Sequence, residues 1–120
     1  MKKYTLVIGA SLNPTRYSNI AIKRLVDKGI KTSAIGLRSG RVKGITIETE
    51  KIPFKAIDTI TLYLNAERQK EYYEYVISLK PRRIIFNPGT ENTEFYKLLK
   101  ENGIKSEVAC TLVLLSTNQY

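Results

Sequence analysis

Short, continuously apolar runs alternate along this chain with longer stretches in which apolar residues return every three or four positions. Leu6-Val7-Ile8 is the first such run and ends at Gly9-Ala10-Ser11. A strand that is apolar at every position is buried on both faces, as in a parallel sheet, so a first strand is expected over about Tyr4–Ile8. From Tyr17 to Lys28 the spacing changes: Ala21 and Leu25, and Ile22 and Val26, stand four apart, as on one face of a helix. Gly29 closes that helix and Lys31–Ile35 reads as a second strand. Asp58–Leu64, Ile84–Phe86 and Ile104–Ala109 read as strands three to five, rich in β-branched and aromatic residues. Between them, Ala66–Leu79 follows Asn65 as N-cap, with Tyr72, Tyr75, Val76 and Leu79 along one face, and Asn92–Asn102 buries Phe95, Leu98 and Leu99.

Ile45–Ile47 could add a short strand, Ile52–Ile57 reads as a brief connection, and Cys110–Leu115 is apolar without deciding between strand and helix. The alternation predicts an α/β, Rossmann-like, doubly wound parallel sheet of about five strands in the order 3-2-1-4-5, with helices on both faces. No linker, repeat or low-complexity tract interrupts it, so residues 1–120 are expected to form a single domain.

Composition narrows the function. A length of 120 residues with 42% hydrophobic and 26% charged residues suits a soluble domain with its own core. The single cysteine, Cys110, has no internal partner, which points to a reducing, cytoplasmic setting. The basic start Met1-Lys2-Lys3 leads into too short an apolar run for a secretory leader, and Val108–Leu115 is too short to span a bilayer. No membrane association is therefore expected. The absence of histidine removes the commonest general base and the usual transition-metal ligand. No metal site and no catalytic residue are expected. A net charge of +9, from 20 Lys+Arg against 11 Asp+Glu, either serves solubility or, read functionally, needs an anionic partner, nucleic acid or a small ligand with several phosphates. Basic residues interleaved with acids, without a recognised motif, disfavour nucleic acid and favour a small phosphorylated ligand.

Two turns at the carboxyl ends of predicted strands carry the candidate chemistry. After strand one, Gly9, Ala10 and Ser11 form a tight turn, and Arg16 joins the hydroxyls of Ser11, Thr15 and Ser18 where a phosphate would sit at a helix start. Of a G-x-G-x-x-G fingerprint only Gly9 is present, so a plain tight turn is the competing reading. After strand two, Gly36-Leu37-Arg38 opens a segment to Gly44 with three glycines and three basic residues (Arg38, Arg41, Lys43), either a ligand loop or a solvated one. Asn87-Pro88-Gly89-Thr90 lies at the same edge, but Glu91 and Glu94 disfavour a phosphate there. Tyrosines of the 66–79 segment could stack on bases; their helical spacing favours core packing.

Taken in order, VIGASLNPTRYSN (Val7–Asn19), VDKG (Val26–Gly29), IGLRSGRVKG (Ile35–Gly44), IDTITLYLN (Ile57–Asn65), IIFNPGTENTEF (Ile84–Phe95) and ACTLVLL (Ala109–Leu115) resemble the stand-alone CoA-binding protein family, similar in fold to the CoA-binding domain of the succinyl-CoA synthetase α subunit. The resemblance implies coenzyme A or acyl-CoA at the carboxyl edge of the sheet. It places phosphate contacts on Ser11, Leu12, Asn13 and Pro14, with Arg16 and Ser18 close by, and gives Arg38 the role of a lysine of the relatives, a change that keeps the charge. Leu64, Asn65, Asn87 and Pro88 would line the remainder. The synthetase's catalytic histidine belongs to a second domain and has no counterpart here. The expected function is thus a non-catalytic CoA carrier, sensor or partner subunit. The alternative is an NADP- or other nucleotide-dependent enzyme. Cys110 could form a mixed disulfide with the CoA thiol, against the plainer reading of a buried inert thiol. A homodimer or protein partner stays open, through an exposed edge near Ile45–Ile47.

Overall fold

β1 (Thr5–Ala10) is the centre of the sheet, and its neighbours explain its composition. The computed structural model describes residues 3–120, so Met1 and Lys2, part of the basic start discussed above, lie outside the described residues. In chain order the elements are β1, α1 (Tyr17–Asp27), β2 (Thr32–Gly36), β3 (Gly40–Val42), β4 (Ile45–Glu48), β5 (Thr59–Leu62), α2 (Ala66–Gln69), α3 (Tyr73–Leu79), β6 (Arg83–Phe86), α4 (Thr93–Glu101), β7 (Lys105–Val108) and α5 (Thr111–Ser116). The sheet runs β3-β4-β2-β1-β5-β6-β7, parallel throughout except for the β3–β4 pair.

The Rossmann-like α/β class is as expected, but the strand number and order are not. Seven strands replace about five. The 45–48 segment lies parallel to β2, with Ala34 opposite Ile47, and takes the place expected for the third core strand. Thr59–Leu62 therefore pairs with the other side of β1, Val7 opposite Thr61, so the five anticipated strands run 2-1-3-4-5. Nor is β4 an open edge. Lys43 and Gly44 both have positive φ (50° and 82°), the requirement of a two-residue hairpin turn, and fold β3 back over it. The glycine-rich 36–44 segment is thus a loop only at its start, and the exposed edge moves from Ile45–Ile47 to β3.

Alternate residues of β1 face different layers. Leu6 and Ile8 join Val76, Phe86, Phe95 and Leu99 on the side of α3 and α4. Val7 joins Ala34, Ile22, Leu25 and Leu115 on the side of α1 and α5. Cys110–Leu115, undecided from sequence, is mostly helix: α5 packs beside α1. The expected helix over 66–79 is broken by a tighter turn at Lys70–Tyr72, at which no glycine or proline marks a break. Its tyrosines pack against the core as their spacing suggests, Tyr73 lying 4.3 Å from Phe95 between ring centres. At the amino end of the strands, Arg83 is buried and ties β5 to β7, donating to Thr59 Oγ1 (3.0 Å) and Glu107 Oε1 (3.0 Å) beneath the Tyr120 ring.

Gly36 pairs with Ala10 just past an irregularity in the β1–β2 register, and there is no room for a side chain between them. A Cβ on Gly36 would lie 2.3 Å from the Ala10 carbonyl oxygen, a backbone atom that cannot swing away. Gly36→Ala should therefore destabilise the protein by about 3 kcal/mol, at the upper end for an overpacked site. Gly29→Ala, with φ +72° but open space around it, should cost only about 1 kcal/mol. Urea unfolding of both variants measures the difference, and equal losses would show that the strands can part freely at this point.

Candidate functional site

The carboxyl ends of β2, β1, β5 and β6 share one edge of the sheet, where open α/β sheets take their ligands. A cleft of about 870 Å³ opens there, the size of a cofactor pocket.

Its floor is the turn after β1. Gly9 has φ +92°, and a Cβ on it would stand 3.0 Å from the Tyr63 backbone. The turn is held by its own side chains. Ser11 Oγ accepts the Asn13 N–H (3.1 Å), Asn13 Oδ1 accepts the Thr15 N–H and hydroxyl (3.0 and 2.8 Å), and Asn19 Nδ2 donates to the Ser11 carbonyl (2.9 Å). α1 then starts with Arg16 at its N-cap, with no side chain accepting from the first-turn N–H groups and no acid in that turn. In contrast, α2 and α4 are capped by Asn65 and Asn92. The positive end of α1 is therefore left for an anion, and Arg16 and Ser18 line the cleft beside it.

On the β2 side the walls are Gly36, Leu37 and Arg38. Five large apolar side chains are strongly exposed among the described residues, and three of them, Leu12, Tyr17 and Leu37, stand on this cleft. Leu12 lies over Gly40, where a Cβ would come within 2.6 Å of its Cδ2. The rim thus offers apolar surface beside a guanidinium. Arg41 does not line the cleft; its Nη2 donates to the Gly44 carbonyl (3.1 Å) and closes the hairpin turn.

The far wall follows β5 and β6: Tyr63, Leu64, Asn65, Arg68, Glu71 and Tyr72, then Pro88, Gly89 and Thr90. Gln69, fully buried, sets its width. Its Nε2 donates to both the Leu64 and Thr90 carbonyls (2.8 and 2.7 Å), and its Oε1 accepts from Asn92 (2.8 Å). Asn87 faces inward. Its Nδ2 donates to Thr61 Oγ1 (2.8 Å) and the Leu62 carbonyl (2.9 Å), and its Oδ1 accepts the Thr111 N–H (2.9 Å). In the next turn Glu91 accepts the Gly89 N–H (3.0 Å), filling one donor that an anion would need. Burial pushes the Tyr63 phenol up to about 12, and its hydroxyl has no hydrogen-bond partner. Burial first, and the nearby Glu71 second, also raise Tyr72.

The cleft brings together Gly9, Ala10, Ser11, Leu12, Asn13, Arg16, Ser18, Gly36, Leu37, Arg38, Leu64, Asn65 and Pro88. Pro14 is exposed outside it and Asn87 is buried beneath it. Cys110 is half-buried before α5 and is not among the lining residues. Tyr17, Tyr63, Arg68, Glu71, Tyr72, Gly89 and Thr90 also line the cleft but carry no local sequence signal beyond following strands one, three and four. Gln69 is a support that only tertiary contacts reveal. Among the described residues no three His, Cys, Asp or Glu side chains gather as a metal site, and no helix is long and apolar enough to cross a membrane.

Residues 3–116 match the family model of the CoA binding domain. The chain belongs to that family. The crystal structure of an uncharacterized protein is 43% identical, covering 100% of this chain and 99% of its own, with a TM-score of 0.97. A hypothetical protein from Pyrococcus horikoshii OT3 is 27% identical over 98% of this chain and 83% of its own, with a TM-score of 0.83. The dinucleotide forming acetyl-coenzyme A synthetase 1 of Ca. Korarchaeum cryptofilum, solved with phosphate and ADP, is similar in fold: 14% identity, 91% of this chain and 26% of its own, TM-score 0.72. No curated protein matches the sequence.

Within this CoA-binding domain, Asn87 should matter through the frame and not through ligand contact. Asn87→Ala strips a partner from the buried Thr111 N–H and from Thr61, and should cost about 1–3 kcal/mol. Denaturant unfolding would show the loss, and an unchanged midpoint would show that water or neighbouring groups replace the amide.

Proposed function

We propose that this protein binds coenzyme A or an acyl-CoA in the cleft and acts as a carrier, sensor or partner subunit, without chemistry of its own. The observation that carries this reading is the uncapped N-terminus of α1, facing the cleft with Arg16 beside it and Arg38 on the β2 side. Coenzyme A presents a pyrophosphate and a 3′-phosphate, and the two groups suit those two places. The pyrophosphate lies over the first-turn N–H groups of α1, with Ser11, Ser18 and Arg16. The 3′-phosphate meets Arg38, whose planar fork suits a phosphate. Leu12, Leu37 and Tyr17 supply apolar surface for the adenine ring.

Gly9 and Gly36, both on the cleft, are held as glycines by the protein's own packing, since side chains there would project into the Tyr63 and Ala10 backbones. The non-catalytic part of the reading rests on chemistry. The chain has no histidine, and Tyr63, with its pKa raised to about 12, holds its proton across the physiological range.

Calorimetry with CoA, 3′-dephospho-CoA and NADP in one buffer tests the reading. Saturable one-site binding of CoA is expected, weaker without the 3′-phosphate. Arg38→Ala should lower CoA affinity about tenfold while leaving 3′-dephospho-CoA nearly unaffected. Equal loss for the two ligands would remove Arg38 from the 3′-phosphate. Binding of NADP with no heat from CoA would replace the proposal with a nucleotide-dependent enzyme.

A further inference from the structure

Three guanidinium groups line the cleft, and the phosphates of coenzyme A use two of them. We infer that the ligand is an acyl-CoA whose acyl group ends in a carboxylate, and that Arg68 binds that carboxylate. The inference rests on the CoA reading above.

The three cations are spread across the sheet. Arg38 follows β2, Arg16 stands at the start of α1 after β1, and Arg68 lies on α2 after β5. β2 and β5 flank β1 on opposite sides, about 10 Å apart at the usual strand spacing. With the 3′-phosphate at Arg38 and the pyrophosphate over α1, the pantetheine arm runs toward β5 and β6. That arm carries amides and a hydroxyl but no charge. Leu64, Tyr72 and Pro88 offer it apolar walls, and Arg68 is then the only cationic lining residue without a phosphate to meet.

No acid of the protein lies within ion-pair distance of Arg68 among the described residues. Glu71, the one acid on the cleft, is paired with Lys51 (3.6 Å), and Glu67 is paired with Lys70 (3.3 Å). Arg68 has no ion-pair partner among the described residues, and its side chain is exposed at the rim. Its backbone is fixed, because its N–H donates to Asn65 Oδ1 (2.9 Å). A guanidinium on a fixed backbone beside the thioester end suits two parallel hydrogen bonds to a carboxylate.

The test is calorimetry on wild type and Arg68→Gln with CoA and 3′-dephospho-CoA, and with esters matched in length: propionyl-CoA against malonyl-CoA, pentanoyl-CoA against glutaryl-CoA. Wild type should bind at least one carboxylated ester about fivefold more tightly than its uncharged match, as for a partly exposed ion pair. Arg68→Gln should erase that preference and leave CoA itself unchanged. Any of three results would overturn the inference: no preference in wild type, a preference that survives Arg68→Gln, or equal weakening of every ligand, which would put Arg68 on the pyrophosphate. A loss in Arg68→Gln that is larger for CoA than for 3′-dephospho-CoA would reverse the ligand in the cleft and overturn it too. If wild type binds no CoA compound, the CoA reading itself fails. If it binds CoA without discriminating among the esters, only the carboxylate assignment fails.

Discussion

The ligand edge of the sheet hangs on one buried amide. The Asn87 side chain reaches β5 through Thr61 and Leu62 and the start of α5 through the Thr111 N–H, while the main-chain carbonyl of Asn87 accepts the Thr90 hydroxyl (2.7 Å). Burying an amide is costly unless its donors and acceptor are used, and here they are. A polar side chain at the end of β6 thus locks together the strand beside it, a helix on one face and the loop that walls the cleft. Gln69 does the same one layer out, joining Leu64 to Thr90. These two amides make the far wall of the cleft a rigid element, although it consists of loops.

That division explains what sequence alone makes legible. Continuous burial announces β1 because every residue of Leu6–Ile8 has an apolar partner on one face or the other. Periodicity likewise places α1 and α4. Strand order is another matter. Nothing local in Ile45–Glu48 or Thr59–Leu62 says which will lie beside β2, since both are short and β-branched; the Lys43-Gly44 turn fixes only the β3–β4 pairing, and β4 takes the place beside β2 through contacts distant from it. The alternation in β5 is visible, with Ile60 and Leu62 against Thr59 and Thr61, but its meaning is not. The threonines look like a solvent face and are fully buried, because Thr111, Asn87 and Arg83 supply their hydrogen bonds from distant segments.

The candidate site divides in the same way. The turn after β1 and the start of the 36–44 segment follow strands, and their positions on the cleft are legible from that alone. Arg38 and Arg41 look alike in sequence, three residues apart in a basic, glycine-rich stretch. The hairpin separates them, leaving Arg38 on the cleft and engaging Arg41 with the turn carbonyl. Asn87 is misleading for a related reason. An asparagine in an Asn-Pro-Gly turn at the ligand edge invites a contact role, whereas its side chain is committed to the frame.

Three guanidinium groups without an ion-pair partner among the described residues gather at the same cleft. Exposed ion pairs such as Asp27–Lys43 and Glu67–Lys70 add little stability. They do occupy acids elsewhere, and none of the five ion pairs among the described residues includes Arg16, Arg38 or Arg68. α1 differs from α2 and α4 in the same direction. An asparagine caps α2 and another caps α4, and such a cap is worth about 1 kcal/mol. At α1 the chain forgoes that stabilisation and keeps Arg16 there instead. A cap would fill the N–H groups that an anion needs, so the less stable choice is the one that the proposed phosphate site requires.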